Sequence, residues 1–443
     1  MDAAVVVILL VLMLVVAAAI GVGIYILIDH QKKKGGGGGG AGGGGLIGAA
    51  AGRVYASPDP PLGKLTVRDP FESARGALQF KVETPQFVVF WDADQKDKTQ
   101  AQTMETAKAL AEKAEQCWQV YAKAGFKLQR LKETGQDLYK KPLFLSGCAV
   151  QCAKSKPQQD PGYDYTGGEG GIVYCTISQG TAAHELGHMR LSAVGGFSSW
   201  TLGSKLGWAH ESCANYMQCC LEVTGEVPNR EALDVWFLQH PVSLEVWDSG
   251  KVPSGYPYGA YFFWLWIQVT FGYTMPGRMW TESLQDKDGQ CVELVPECLS
   301  RLTSKSIPDL YGDWLGKTLT FEYLKSDVNK YASLKLSAWK DFDNVSREGS
   351  TLKITNAKYA LQAFGFHAAK LEGSVTSGKR LRLDPSVDAS SWRMAVVVTG
   401  GKTEVYAAGQ TTPVLDSSGV VVGVISVSRG AALPANPYVI SLV

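Results

Sequence analysis

The run of hydrophobic and polar positions changes texture several times along the chain. From Ala3 to Ile28 no side chain carries a charge and most are Val, Leu, Ile or Ala. A helix needs roughly 20 apolar residues to cross a bilayer core, a signal-peptide core takes roughly half that, and no basic residue precedes the run. The pattern predicts a retained transmembrane helix within residues 1–30. Gly35 to Gly45 is glycine except for Ala41, and Pro58, Pro60 and Pro61 follow. Glycine runs behave as flexible coil, so residues 31–83 read as a linker and extended segment.

Residues 84–327 have the texture of a folded domain. Phe87 to Trp91 (FVVFW) is a short continuous apolar run, which predicts a buried strand. Between Thr99 and Gly125, apolar residues at Ala107, Leu110, Ala111, Ala114, Trp118 and Tyr121 recur every three or four positions and define one face of a helix that Gly125 closes. Pro142 to Leu145 and Gly171 to Ile177 predict further strands, separated by a polar, glycine-rich loop around residues 160–170. Helices follow at Arg230 to Gln239, Tyr261 to Phe271 and Ile307 to Leu315; Tyr261 to Thr270 is apolar but too short to span, so it reads as a core helix. From Val328 the pattern turns to short alternating segments, Leu352 to Ile354, Met394 to Val398, Thr403 to Tyr406 and Val420 to Val427, which predict a β-sandwich over 328–443. The order of elements is α+β.

Charge removes one class of partner. With 43 basic and 42 acidic residues the chain has no basic footprint for a phosphate backbone, so nucleic acid is not expected to bind. Charge also bears on sidedness: Lys32, Lys33 and Lys34 directly after the apolar run place the following domain on the cytoplasmic side by the positive-inside tendency. The nine cysteines lean the other way, as small buried thiols or disulfides of an exported domain, and none lies in a C-x-x-C spacing. Sidedness stays open on these signals.

The chemistry concentrates in Thr181 to Arg190 (TAAHELGHMR), which holds H-E-x-x-H at His184, Glu185 and His188 in a chain with only six histidines. Histidines four apart share a helix face and bind one zinc ion, and the intervening glutamate reaches a water in the open metal position to act as general base. A zinc site needs a third protein ligand. The compact metzincin spacing fails, because Leu191 and Val194 stand where its glycine and histidine belong. Two adjacent candidates remain in GWAHESCANYMQ, His210 and Glu211, the latter 23 residues beyond His188.

These motifs resemble the gluzincins, which include thermolysin-like enzymes and the aminopeptidase N family. Trp208 to Asn215 (W-x-H-E-S-x-A-N) is especially similar to a group of zincin-like proteins whose peptidase domain precedes a β-sandwich. The resemblance implies Glu211 as third ligand, one Zn²⁺ per chain, a zincin-like fold over 84–327 and hydrolysis of a peptide or protein substrate. Tyr256 to Ala260 (YPYGA) is similar to the aminopeptidase N segment Y-x-K-G-A, which implies that Tyr256 stabilises the oxyanion, although Tyr258 replaces the lysine. No G-x-M-E-N sequence is present, which puts strict aminopeptidase specificity in doubt. The strand Gly170 to Ser178 stands where zincins place the edge strand that holds extended peptide.

Two other features have plainer readings. His240 and His367 read as surface or packing histidines, and the tryptophans Trp200, Trp208, Trp236, Trp247, Trp264, Trp266 and Trp280 as packing in preference to a cleft for sugars. The competing function is a membrane-tethered binding module that recognises protein or glycan without hydrolysis. An intact Glu185 argues against it.

Overall fold

The computed structural model describes Asp59, Gly135, Trp339 and residues 63–72, 78–91, 98–129, 137–146, 165–169, 172–178, 180–198, 206–221, 235–246, 255–287, 291–323, 342–356, 358–398, 402–416, 418–429, 433–434 and 436–443. The expected membrane helix, the glycine run, Cys148, Cys152, Trp200 and Trp247 lie outside these residues. Among the described residues no helix is long and apolar enough to cross a membrane.

The fold is α+β. Strands β1 (Phe80–Glu83), β2 (Phe87–Trp91), β3 (Lys141–Leu145), β4 (Tyr165–Glu169) and β5 (Ile172–Ile177) form one mixed sheet in the order β1-β2-β3-β5-β4. The β2–β3 and β3–β5 pairs are parallel; β1 and β4 run antiparallel to their neighbours. The unbroken apolar run of β2 follows from burial of both its faces. Phe87, Val89 and Trp91 face the main core, while Val88 and Phe90 face a smaller cluster with Phe71, Phe144 and Tyr174.

Helix α1 (Gln100–Lys123) lies against this sheet. It starts at a capping box in which Thr99 accepts from the Gln102 N–H and Gln102 accepts from the Thr99 N–H, which satisfies two otherwise orphaned donors. The predicted face is the buried one, and Gly125, at φ 92°, ends the helix as expected. After β5 come α2 (Ala182–Val194), a 3₁₀ turn at Gly196–Ser198, and α3 (Gly207–Cys220). Helices α4 (Tyr256–Gly259), α5 (Tyr261–Phe271), α6 (Met275–Glu282), α7 (Val295–Thr303) and α8 (Ile307–Thr320) complete the helical part. Within the expected helix at Arg230 to Gln239, residues 235–237 are helical and 238–241 form a turn.

The alternating C-terminal segments become β6 (Asn344–Glu348), β7 (Thr351–Thr355), β8 (Phe366–Leu371), a short α9 (Gly373–Thr376), β9 (Leu381–Pro385), β10 (Trp392–Val398), β11 (Thr403–Ala407), β12 (Val420–Ser426) and β13 (Tyr438–Leu442). They make two antiparallel four-stranded sheets, β11-β10-β12-β8 and β6-β7-β13-β9. Leu352, Leu383 and Ile440 of one sheet meet Leu371, Met394 and Val422 of the other in a shared core. The first sheet is covered on its other face by α8, where Leu315 and Leu319 press on Gly423 and Arg393 pairs with Asp309 at 2.7 Å. Phe366, Ala368, Ala395 and Ile425 consequently belong to the same core as α1 and α2, and residues 57–443 form one unit.

His240 and His367, read from sequence as surface or packing residues, are both buried. His240 Nε2 lies 3.0 Å from Asp343 Oδ2, with both side chains almost fully enclosed. Asn356 and the Ala368 N–H also donate to the Asp343 carboxylate, at 2.7 and 2.8 Å. This polar knot ties the turn at 238–241 to the C-terminal strands, helped by Phe366 N donating to His240 O at 2.8 Å. Burial works against ionisation of Asp343, but the His240 imidazole and the other donors outweigh it and hold the carboxyl below its usual value. Burial pushes His367 down to about 4.

Both shifts make the fold sensitive to acid. Between pH 6.5 and 4 the unfolded chain binds a proton at His367 that the folded chain refuses, so stability is full above 6.5 and falls toward 4, by about 3 kcal/mol at 1.36 kcal/mol per unit. The Asp343 contribution is present above the ordinary carboxylate value and is lost at still lower pH. Urea midpoints measured from pH 7.5 to 4 should fall, and His367→Gln should flatten the upper part of that slope; an unchanged slope refutes the assignment.

Candidate metal centre

Two packed helices build the site. On α2, His184 and His188 stand one turn apart on one face. On α3, Glu211 faces them because the helices approach closely at Gly187: a Cβ there would sit 3.3 Å from the Ala214 Cα and 3.5 Å from the Met217 sulfur. Larger side chains at Gly187 would push Glu211 away. Helix α3 is fixed from behind by Trp264, whose indole N–H donates to Ser212 Oγ at 2.8 Å, and α2 by Tyr121, whose hydroxyl donates to Ala183 O at 2.7 Å.

His184 Nε2, His188 Nε2 and Glu211 Oε2 converge. The two nitrogens are 2.9 Å apart, and the carboxylate oxygen is 3.3 Å from the first and 3.2 Å from the second. Ligands at 2.0–2.1 Å from a tetrahedral zinc are separated by about 3.3–3.4 Å, so the three atoms nearly have the required spacing. Their outer partners also suit a cation. His184 Nδ1 lies 2.9 Å from Asn215 Oδ1, and Asn215 is oriented by its own donation to Tyr258 O at 3.1 Å. His184 Nδ1 therefore carries the proton and Nε2 a lone pair. His188 Nδ1 lies 2.6 Å from His210 Nδ1 with the rings stacked at 9°. Burial, then the neighbouring His188, pushes His210 down to about 3, so it is neutral and can accept from the His188 Nδ1–H. Against burial, the Glu211 carboxylate raises His188, so a metal ion bound at Nε2 would take the place of a proton there. Two imidazole nitrogens and a carboxylate oxygen at this separation suit a shared cation. Among the described residues, these three are the cluster able to hold one. His210, the rival ligand on sequence grounds, instead supports His188.

The charges agree with the geometry. Burial opposes ionisation of Glu211, but the two histidines overcome it and hold its carboxyl well below the ordinary value. Glu185, 6% exposed, is raised by burial against the opposing pull of His188 and His184. Its Oε2 accepts from Thr166 Oγ1 at 2.8 Å. A carboxylate of raised proton affinity beside the His184–His188–Glu211 cluster is suited to accept a proton.

Two expectations drawn from sequence need correction. Tyr256 does not serve this site: its hydroxyl donates to Val242 O at 2.9 Å, with Ser243 O at 3.2 Å, and the residue is buried in the core. The tyrosine at the cluster is Tyr258, two positions on along α4. Its ring centre is 5.7 Å from that of His184, and its phenol is close enough to Glu211 to feel the carboxylate charge. Burial, then the Glu211 charge, raises Tyr258 above its normal value and keeps it a donor. Second, the strand Gly170 to Ser178 is no edge. β5 is paired on both sides, and the sheet edge next to α2 is β4, within the segment read as a polar loop.

Thr166, Asn215 and Tyr258 are the neighbours of the cluster that sequence reasoning did not assign to the site, whereas His210 was named there as the rival ligand. Asn215 was findable, because it lies four residues after Glu211 and shares its helix face. The tryptophans Trp208, Trp236, Trp264, Trp266 and Trp280 are each at most 1% exposed, so they pack the core and line no sugar cleft.

No curated protein and no solved structure matches this chain. One family does, over a span that starts just ahead of Asp59, takes in the three converging side chains and ends within the C-terminal sheets. With residues 55–411 matched, the chain belongs to that family, described as a family of unknown function (DUF6055).

Proposed function

We propose that this chain is a zinc-dependent peptidase with a zincin-like catalytic part and a C-terminal β-sandwich. The observation that carries the reading is the convergence of His184 Nε2, His188 Nε2 and Glu211 Oε2 at 2.9–3.3 Å beside Glu185. Zinc held there would supply Lewis acidity, polarising a carbonyl and lowering the pKa of a water toward neutrality. The protein's own groups do the rest. Glu185 takes the proton of the attacking water and passes it to the leaving amine. Tyr258 donates its phenol proton in a hydrogen bond to the oxygen on which negative charge develops. Among the described residues strand β4 pairs on one side only, which offers an edge along which an extended peptide can add by backbone hydrogen bonds; Gly167 and Gly168 leave that edge without side chains. The apolar run Ala3 to Ile28 and the glycine tether support a single-pass membrane anchor for this activity.

The test uses the unit from Ser57 onward. Metal analysis should find one zinc per chain, lost in Glu211→Gln, and wild type should cleave a mixed peptide library. Zinc without cleavage would support the binding-module reading; no zinc would overturn the metal-site reading of the H-E-x-x-H motif.

The tyrosines separate the site from the resemblance. Tyr258→Phe should lower kcat about 10²- to 10³-fold, as loss of an oxyanion donor does. Tyr256→Phe should leave kcat close to wild type and cost about 1–3 kcal/mol of stability, because the Val242 and Ser243 carbonyls lose their donor. The reverse pattern of rates would reinstate Tyr256.

A further inference from the structure

We propose that Thr166 is a positioning residue that ties the proton acceptor Glu185 to the substrate-binding edge strand and assigns different tasks to its two carboxylate oxygens. The inference rests on the peptidase reading of the site.

Thr166 Oγ1 stands at the meeting point of three groups. It is 2.8 Å from Glu185 Oε2, 2.9 Å from the Glu185 backbone carbonyl and 3.2 Å from the Cys175 sulfur. Cys175 is its cross-strand partner in the β4–β5 pair, and its thiol lies 3.4 Å from the same Glu185 carbonyl. A hydroxyl has one proton to give and two lone pairs. While Glu185 is ionised, the charged oxygen is the strongest acceptor within reach, so the Thr166 proton goes to Oε2 and the Cys175 thiol serves the carbonyl or the hydroxyl. Oε2 is thereby held as an acceptor already in use. The incoming proton is directed to Oε1.

The chemistry then balances on one carboxylate. As the water oxygen bonds to the peptide carbon, a water O–H bond breaks and an Oε1–H bond forms. When the C–N bond breaks, that proton moves to the amine nitrogen and Glu185 is ionised again. Thr166 keeps its bond to Oε2 throughout, so the carboxylate does not swing between the two transfers.

Position adds a second role. Thr166 sits on β4, the sheet edge to which the substrate backbone adds, and Glu185 on α2 beside the ligand His184. A peptide that orders β4 orders Thr166, and through it the proton acceptor. Loss of the hydroxyl should therefore slow turnover without weakening substrate capture or zinc binding.

The experiment compares wild type, Thr166→Val and Thr166→Ser on a cleavable peptide, with zinc content measured in each. Thr166→Val should lose about 10- to 100-fold in kcat, the scale of a mispositioned acid–base group, with KM within about twofold and zinc still one per chain. Thr166→Ser, which keeps the hydroxyl, should recover to within about threefold. Unchanged kcat in Thr166→Val, or a loss carried by KM or by zinc content, would overturn the proposal. A double-mutant cycle of Thr166→Val and Glu185→Ala on the unfolding midpoints of the zinc-free protein gives a readout independent of activity. A drop from Thr166→Val that largely disappears once Glu185→Ala is also present supports the tie, and additive midpoints overturn it. Should wild type bind zinc and cleave nothing, the peptidase reading fails, and the cycle alone then decides whether Thr166 holds Glu185.

Discussion

Glu185→Gln is expected to reduce peptide hydrolysis by about 10²- to 10⁴-fold while leaving one zinc ion per chain, because general-base catalysis contributes on that scale and Glu185 is not among the converging ligands. Glutamine keeps the shape of the side chain and an oxygen for Thr166 to donate to. It cannot accept a proton at neutral pH. The change should therefore fall on kcat, with KM and unfolding midpoint little altered. Metal analysis and steady-state kinetics on the same preparations distinguish this from collapse of the centre. Loss of zinc together with activity would mean that Glu185 helps to hold the metal, and full activity would remove it from the mechanism.

The second large effect lies on the far side of the same helix. Arg190 follows His188 by two residues, is fully buried, and is held by Asp59 through two hydrogen bonds of 2.8 and 2.5 Å. Its Nε donates to Phe126 O at 2.7 Å, and its guanidinium lies 4.6 Å from the Trp118 ring centre. The nearby Lys141 is pushed down to about 7 by burial first and by Arg190 next, so Arg190 retains its charge at a neighbour's expense. Removing one member of a buried ion pair typically costs about 3–5 kcal/mol, because the other is left charged without a partner. Asp59→Asn should cost that much in urea unfolding, and a chain that begins at Gly63 should lose a similar amount and bind zinc poorly. A loss below about 1 kcal/mol in Asp59→Asn would show that the pair is dispensable. Asp59 is, on this account, a fastening of α2, so cutting it away should weaken the site rather than free it.

Much of this site was legible because its geometry is local. His184, Glu185 and His188 are fixed relative to one another by helical spacing alone, and Glu211 was reached through a resemblance that supplied the second helix. Tyr256 was misassigned for a related reason: alignment with a Y-x-K-G-A segment fixes a register but not which face of a one-turn helix meets the histidines, and Tyr258 takes that face. β4 was read as loop because Gly167 and Gly168 carry no strand preference, and its pairing with β5 supplies the order that propensity lacks. Two long-range ties gave no signal at all. Arg190 and Asp59 are 131 residues apart and His240 and Asp343 are 103 apart, and each looks like an ordinary surface residue until the fold removes it from water.

The place of β13 sets the order in which the protein can be made. It lies inside its sheet, between β7 and β9, and its Tyr438, Ile440 and Leu442 fill the core shared with the opposite sheet. Until a ribosome has passed Tyr438, β7 and β9 present unpaired edges to each other across a gap, and half of that core faces water. Such edges invite pairing with other chains. Because the opposite sheet is also the floor on which α8 rests, and its Phe366, Ala368, Ala395 and Ile425 share a core with α1 and α2, the part that carries the His184–His188–Glu211 cluster cannot settle separately as translation proceeds. The nascent chain is expected to need holding by a chaperone until synthesis has supplied the strand that closes this layer.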